Sequence, residues 1–165
     1  MPAFSCVMVL QHKKFGRWEL LSKLDSPSPN FANITVNTAP HSAIVLFAHG
    51  ARDPEWAAPF HRIAARLREA RPKLRVQLAF LELMRPALAD AVAGMAAEGI
   101  TRITLVPLFL AQGGHLKEDL PRLLDDICRS HPGITIDVTE AIGDSEVLTA
   151  AIADWALAQH MSFTT

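Results

Sequence analysis

Residues 104–121 decide the fold of this chain, and they read TLVPLFLAQGGHLKEDLP. The first half of the stretch is an apolar run, which is typical of a β-strand buried on both faces. The run breaks at Gly113-Gly114, where the backbone is free of side-chain constraints. A helical pattern begins right after His115. The stretch therefore predicts a histidine at the carboxyl end of a strand, where open α/β sheets bind their ligands.

A second stretch has the same design, and residues 43–54 read AIVLFAHGARDP. An apolar run again ends in a histidine and a glycine, here His49 and Gly50. If the two strands are parallel and adjacent, both imidazoles reach the same edge of one sheet. This pair of histidines is the centre of the functional hypothesis.

The chain from residue 42 onward alternates strand and helix patterns. Strands are predicted at 43–48, 74–81, within 100–110 and at 134–139, and an amphipathic helix follows each of them. Four such units predict an α/β fold with a four-stranded parallel sheet, helices on both faces and right-handed connections. We expect a single flavodoxin-like domain over residues 42–160, with strand order 2-1-3-4. No GxGxxG or GxxxxGK[ST] motif follows a strand, so a Rossmann or P-loop nucleotide site has little support.

Residues 1–41 differ from the rest of the chain. They contain the loop signature SPSPN at 26–30 and no sustained period. We predict a poorly ordered extension without a catalytic role, whose deletion leaves stability nearly unchanged. A short helix around residues 17–24 and a start site placed too early are the alternatives.

Composition narrows the classes of function. The chain has 165 residues, 50% of them apolar and 20% charged, with a net charge of −1. This balance argues against a polyanion-binding surface, so no nucleic-acid partner is expected. The two cysteines, Cys6 and Cys128, form no CxxC motif. They predict neither a disulfide framework nor a cysteine zinc site, and they favour a reducing cytoplasm. No apolar run approaches the roughly 20 residues that span a bilayer, and the start does not have the order of a signal peptide.

Three side chains with useful chemistry stand at predicted strand ends: His49, Glu82 and His115. Imidazole binds first-row divalent metals, and histidine is also the side chain best suited to accept a proton near neutral pH. A lone histidine at a strand end is usually a polar turn residue, and a lone glutamate is often a solvated cap. Two histidines at equivalent turns favour a metal site.

Basic residues follow each of these positions. Arg52 comes after the first histidine, Arg85 after Glu82 and Lys117 after the second histidine. Together they would suit a carboxylate-bearing substrate, although each alone is more often a solvated surface charge. The glycine pair would let a flat ligand approach the backbone closely.

The motifs resemble those of the CbiX-type sirohydrochlorin chelatases. AHGARDP at 48–54 resembles their HGSR-type opening, and FLE at 80–82 followed by Pro86 resembles their second motif. PLFLAQGGH at 107–115, with DLP at 119–121, resembles the third. The order and spacing agree from about residue 43 to 157, and the length suggests the short, single-unit form.

The resemblance implies a class II chelatase, a metal-inserting lyase that places a divalent metal into sirohydrochlorin without ATP. Cobalt is the first expectation, with iron or nickel as further candidates, on a route to cobalamin or siroheme. The metal would be a substrate, and no tightly bound cofactor is expected. The resemblance also implies a cytoplasmic homodimer.

The resemblance also assigns the site residues. His49 and His115 would bind the metal, and His49 would accept the pyrrole protons. Glu82 would act in catalysis and in substrate binding, and Arg52 and Lys117 would contact substrate carboxylates. The remaining macrocycle contacts would come from Leu110, Ala111, Gln112, Gly113, Gly114 and His115.

Two positions depart from the family pattern. Ala51 stands where serine is frequent, and Gln112 stands where some members have a histidine. Two other functions compete with the chelatase. One is a non-catalytic metal-binding module for delivery or storage. The other is a histidine phosphatase, whose RHG motif requires arginine where this chain has Ala48.

Overall fold

The computed structural model describes residues 9–10, 41–111 and 114–163, and in residues 9–10 and 114–118 it describes the backbone alone. The strands are β1 (Val9–Leu10), β2 (Ser42–Ala48), β3 (Arg75–Phe80), β4 (Arg102–Pro107) and β5 (Thr135–Val138). The helices are α1 (Ala58–Ala70), α2 (Leu88–Ala97), α3 (Gly114–Ser130) and α4 (Glu146–Phe163). Short 3-10 turns occupy Pro54–Ala57 and Ile142–Asp144.

The strands form one parallel sheet in the order β1-β5-β4-β2-β3. Its four main strands reproduce the predicted order 2-1-3-4, so the predicted α/β fold with a four-stranded parallel core is confirmed. β2 is a central strand that pairs with β3 on one side and with β4 on the other. The two histidine-bearing segments therefore follow adjacent parallel strands, as the sequence analysis required.

Helices cover both faces of the sheet. On one face, α2 and α3 pack over the alternate strand residues that point toward them, and this cluster contains Val45, Ile103, Leu105 and Ile136. On the other face, α1 packs over β2 and β3 through Ala64 and the half-buried residues Phe60 and Leu67. Alternation along the strands sends successive side chains into the two clusters.

The first helical segment begins as predicted. The Asp53 carboxylate accepts a hydrogen bond from the Glu55 amide at 2.9 Å, which caps the turn at Pro54. The segment starts as a 3-10 turn and becomes the α-helix α1 at Ala58, because Pro59 fits only in the first turn of an α-helix.

The last helix has an unexpected environment. α4 has the predicted helical pattern and runs for 18 residues, but no residue in it is buried. In the described part of the chain its main contacts are with the turn Ile142–Asp144 that precedes it. It therefore does not return onto the sheet, as a helix after a parallel strand normally does.

The start of the chain contributes a strand that the sequence did not predict. β1 lies inside the segment predicted to be an extension, and it adds a fifth strand, with Val9 opposite Asp137 and Leu10 opposite Val138. Two residues are too few to show a strand period. The prediction of order or disorder for the rest of residues 1–40 lies outside the described residues.

The cysteine spacing predicted no disulfide framework, and it did not anticipate a single disulfide. Cys128 is disulfide-bonded, and its partner lies outside the described residues. The chain's other cysteine is Cys6. The pairing of β1 with β5 brings residues 9–10 beside the strand that follows the helix containing Cys128.

The described helices include none that is both long enough and apolar enough to span a membrane.

Candidate functional site

His49 lies at the carboxyl edge of the sheet, directly after the central strand β2. Its side chain is exposed, whereas the strand residues that precede it are buried. The imidazole packs against the ring of Phe109, with ring centroids 4.5 Å apart at an angle of 65°. Phe109 is 2% exposed and also makes an edge contact with Phe47 at 5.5 Å. The histidine thus rests on a fixed aromatic support, and the rest of its ring remains open to a ligand.

The loop after β3 brings Glu82 next to His49. The strand ladder continues past the ends of β2 and β3, because the Leu81 amide donates to the Ala48 carbonyl and the Glu82 amide to the His49 carbonyl, both at 2.9 Å. The Glu82 side chain is exposed. The predicted juxtaposition of a histidine and a carboxylate at this edge is therefore present at the level of the backbone.

Gly50 makes this juxtaposition possible. Its φ is +90°, a conformation that L side chains rarely adopt, and a Cβ added there would collide with the carbonyl oxygen of Glu82. Leu83, which follows Glu82 in the loop after β3, also has a positive φ, 62°. A positive φ is uncommon for a leucine. Its side chain is 61% exposed. The loop therefore presents an apolar side chain to solvent beside the candidate catalytic pair.

The segment after β4 flanks His49 on the other side. It is anchored by the Leu108 amide, which donates to the Phe47 carbonyl at 2.7 Å. Leu110 and Ala111 are exposed, Leu110 to 66%. The turn after β5 supports this segment, because the Gly143 amide donates to the Phe109 carbonyl at 3.0 Å and a Cβ at Gly143 would collide with the Leu110 carbonyl.

The remaining predicted residues of this motif have a limited description. The backbone of Gly114, His115 and Lys117 lies in the first turn of α3, which places the second histidine where the sequence predicted it. Their side chains lie outside the described part of the structure, and so do Gln112 and Gly113 entirely. The roles predicted for these five residues stay predictions.

The predicted cations differ in their surroundings. Arg52 is exposed and forms no ion pair with the side chains that the structure describes. Arg85 is also exposed, but its guanidinium binds the Asp90 carboxylate at 2.9 Å. Arg52 is therefore the better placed of the two to attract an anionic ligand, because Asp90 offsets the charge of Arg85.

The side chains of the described residues include no group of three or more histidines, cysteines or carboxylates that could hold a metal ion. Within the described residues, His49 offers one imidazole, and the backbone of Glu82 lies beside it. This arrangement suits a metal that is held briefly at an open position while other ligands come from a second histidine or from a substrate. A closed structural site needs more protein ligands.

Sequence reasoning missed three residues that shape this edge: Phe109, Leu83 and Gly143. Phe109 was part of a quoted motif, but its contact with His49 depends on the pairing of β2 with β4. Leu83 follows the glutamate directly, and an apolar residue in a polar loop was the available signal. Gly143 follows β5, and the Gly143-Asp144 pair was the only sign in the sequence that two backbone segments come close together there.

The sequence of this chain is similar to sequences of the CbiX family and of named sirohydrochlorin cobaltochelatases. The CbiX family model matches residues 43–157. The sirohydrochlorin cobaltochelatase of Methanopyrus kandleri is 38% identical over 82 residues, which are 50% of this chain and 57% of that protein. The sirohydrochlorin cobaltochelatase of Methanococcus aeolicus is 33% identical over 90 residues, which are 54% of this chain and 63% of that protein. The matched part thus spans about three fifths of these relatives.

Solved structures resemble the same unit. A putative cobalamin biosynthesis CbiX protein from Marinobacter aquaeolei VT8 has 33% identity and a TM-score of 0.65, covering 73% of this chain and 98% of that one. The sirohydrochlorin chelatase SirB from Bacillus subtilis subspecies spizizenii, solved in complex with cobalt, has 29% identity and a TM-score of 0.53. The likeness covers 64% of this chain and only 45% of SirB. The fold is therefore shared with both a short and a longer protein.

Proposed function

The chain belongs to the CbiX family, and we propose that it catalyses the ATP-independent insertion of a divalent metal into sirohydrochlorin. The observation that carries the proposal is the position of His49. It follows the central strand of a sheet that the family model matches, at the carboxyl edge, between the loops after β3 and β4. Relatives named as sirohydrochlorin cobaltochelatases and a SirB structure with cobalt support this reaction.

Metal insertion makes two chemical demands that a histidine meets. The pyrrole N–H groups of the macrocycle must lose their protons, and the metal must exchange water for nitrogen ligands. A neutral imidazole can accept a proton, and it can also replace one water on the metal. His49 is exposed to solvent and fixed in orientation by Phe109, so it can meet the ligand without a change of the core. Glu82 lies beside His49, because its amide donates a hydrogen bond to the His49 carbonyl. We propose that the Glu82 carboxylate takes over the proton that His49 accepts.

The two loops beside His49 supply the proposed platform for the macrocycle. Leu83 and Leu110 are exposed leucines on opposite sides of the central strand. A flat tetrapyrrole that lies across the edge would bury both side chains, which is favourable because apolar area leaves water. Arg52 would then contact carboxylates at the rim. Ala111, Gln112, Gly113, Gly114 and Lys117 complete the proposed contacts.

Several finer points belong to the same proposal. His115 is the second proposed metal ligand, and cobalt is the first metal to test, with iron and nickel beside it. The route to cobalamin or siroheme, the cytoplasmic location and the homodimer expected from the family remain predictions. The disulfide at Cys128 is unusual in a reducing compartment, so the location deserves a direct test.

The experiment measures the absorbance of sirohydrochlorin under anaerobic conditions with Co²⁺, Fe²⁺ or Ni²⁺, with and without the protein. The rate of each metal without protein is subtracted, because cobalt inserts slowly by itself. We expect acceleration with at least one metal, and the ratio of rates ranks the three. Tight binding of a metal without acceleration of any insertion would instead support the metal-binding module and contradict the chelatase.

A further inference from the structure

The loop after β3 contains a strained turn beside the candidate site. Leu83 has a φ of 62°, and the Met84 amide donates a hydrogen bond to the Glu82 carbonyl at 2.7 Å. A hydrogen bond to the carbonyl two positions earlier closes a three-residue γ-turn, and the form with a positive φ at its centre is rare and strained. The other described residues with a positive φ are both glycines, Gly50 and Gly99. Among the described residues, Leu83 alone carries a side chain in this conformation.

Contacts on both sides hold Leu83 in the strained turn. Before it, the Glu82 amide donates to the His49 carbonyl at 2.9 Å, and the Glu82 carbonyl fills the space that a Cβ on Gly50 would need. After it, the side chain of Met84 packs against the apolar cluster beneath α1. A strained residue persists only where its surroundings determine its conformation. These contacts do so, and the turn cannot relax without moving Glu82 or Met84.

The backbone conformation alone does not explain why a leucine occupies this position. Glycine takes a positive φ without steric cost, and asparagine tolerates it better than leucine does. A turn selected only for its backbone would therefore have one of these residues. The Leu83 side chain is 61% exposed, so it adds little to the core. The free protein thus combines an unfavourable backbone conformation with apolar area in water, and it gains little core packing from either.

We propose that the strained turn holds the Leu83 side chain as a fixed contact for the flat apolar face of the macrocycle, and that Leu83 thereby determines the affinity for this substrate. The inference rests on the proposed function and deepens it. A side chain that is fixed before the ligand arrives loses little conformational freedom on binding, and such preorganisation strengthens affinity. Stability and affinity should therefore change in opposite directions when the strain and the side chain are removed together.

The position of Leu83 fits a contact with the macrocycle and not a part in the chemistry. It directly follows Glu82, whose backbone is hydrogen-bonded to that of His49, so it lies one residue beyond the pair proposed to move protons. Its side chain is apolar and can neither bind a cation nor transfer a proton. Replacing it should weaken the binding of metal-free sirohydrochlorin and leave the insertion rate at saturation nearly unchanged.

The test compares the wild type with Leu83→Asn and Leu83→Ala. Asparagine tolerates a positive φ, whereas alanine keeps the Cβ that causes the strain, and both remove apolar area. Titration of the full chain with metal-free sirohydrochlorin, followed by absorbance, measures the dissociation constant. We expect this constant to increase about tenfold in both variants. The melting temperature should rise by about 2–4 °C in Leu83→Asn and should not rise in Leu83→Ala.

The matched control is Leu157→Asn. Leu157 lies in α4 and is 60% exposed, so this variant removes an equally accessible leucine and should keep the wild-type dissociation constant. Wild-type affinity in Leu83→Asn, or a lower melting temperature, would overturn the inference and leave the proposed reaction standing. A lower rate of cobalt insertion at saturating sirohydrochlorin would also overturn it, because Leu83 would then act in the chemistry. A wild type that does not bind sirohydrochlorin would refute the proposed function itself, and the inference with it.

Discussion

At the scale of single residues, the candidate site depends on two close contacts beneath exposed side chains. Phe109 supports the imidazole of His49 from below, and Gly50 lets the backbone of Glu82 approach the histidine turn. Both residues lie within motifs visible in the sequence. Their function is positioning, because neither presents a reactive group.

Replacing Gly50 by alanine should displace the loop that carries Glu82. The new Cβ would meet the Glu82 carbonyl, so we expect a loss of insertion rate on the order of tenfold to a hundredfold, measured with sirohydrochlorin and cobalt. Gly99→Ala is the matched control, because Gly99 also has a positive φ, +82°, but has no atom within 4 Å of an added Cβ. The control should lose about 1–2 kcal/mol of unfolding free energy and keep its rate. Equal rates in the two variants would contradict the positioning role.

Replacing Phe109 by leucine should weaken the support of His49. We expect a lower turnover rate per folded molecule and a loss of about 1 kcal/mol from the aromatic contacts. Phe47→Leu removes the contact between Phe47 and Phe109 but does not touch His49, so it should lose similar stability and retain turnover. The comparison uses urea denaturation for stability and initial rates for turnover. If Phe47→Leu reduced turnover as much as Phe109→Leu, the effect would come from the core and not from the histidine.

At the scale of elements, the sequence was a good guide to the strands and a poor guide to what covers them. Apolar runs at 43–48 and 104–110 had the composition of central strands, and their order in the sheet followed from the right-handed connection rule. Which side chains meet at the edge depends on strand register, and register determines that Phe109 lies beneath His49. The two-residue strand β1 has no periodic signal, and the apolar residues of α4 had the helical spacing of an ordinary core face although none of them is buried.

An ion pair joins the end of α2 to the start of β3. Arg75 binds Glu98 through two hydrogen bonds of 2.8 and 3.0 Å, and the hydrogen bond from Arg75 lowers the pKa of Glu98 below its ordinary 4.5. A carboxyl with a lowered pKa in the folded state adds stability above about pH 4.5. That stability is lost as the pH falls through the lowered value.

Glu98→Gln should therefore be slightly less stable than the wild type at pH 7, and the difference should vanish in strong acid. The side chains of Arg75 and Glu98 are 38% and 48% exposed, so the difference should also shrink at high salt. Thermal unfolding of the two proteins from pH 7 to pH 2 measures it. A difference that grows as the pH falls would contradict the assignment of the pKa shift.

At the scale of the whole molecule, both ends of the chain depart from the sequence expectation. The start contributes β1 at the far edge of the sheet, and the chain contains a disulfide at Cys128. The end contributes α4, which the domain does not bury. Composition alone suggested an independent domain with a dispensable extension. Contacts between distant parts of the chain leave no local pattern in the sequence, so periodicity indicated neither β1 nor the exposure of α4.

Deleting residues 1–38 should therefore reduce stability, contrary to the expectation from the sequence. It removes β1, which pairs with β5. Cys128→Ala, which keeps β1, removes the disulfide and should lose about 2–4 kcal/mol of stability relative to the wild type without reductant, and almost none in its presence, as measured by denaturation with and without dithiothreitol. Insertion rates at low temperature should remain, because β5 and β4 separate β1 from the central strand β2. Unchanged stability of the deletion variant would restore the original expectation.

The central claim is that His49 at the carboxyl edge carries out metal insertion. The most direct measurement compares anaerobic rates of cobalt insertion into sirohydrochlorin for wild type, His49→Ala and His61→Ala. His61 is an exposed histidine on α1 and serves as the matched control. The account predicts that His49→Ala falls to the rate without protein while His61→Ala keeps the wild-type rate. A folded His49→Ala with wild-type turnover would contradict it.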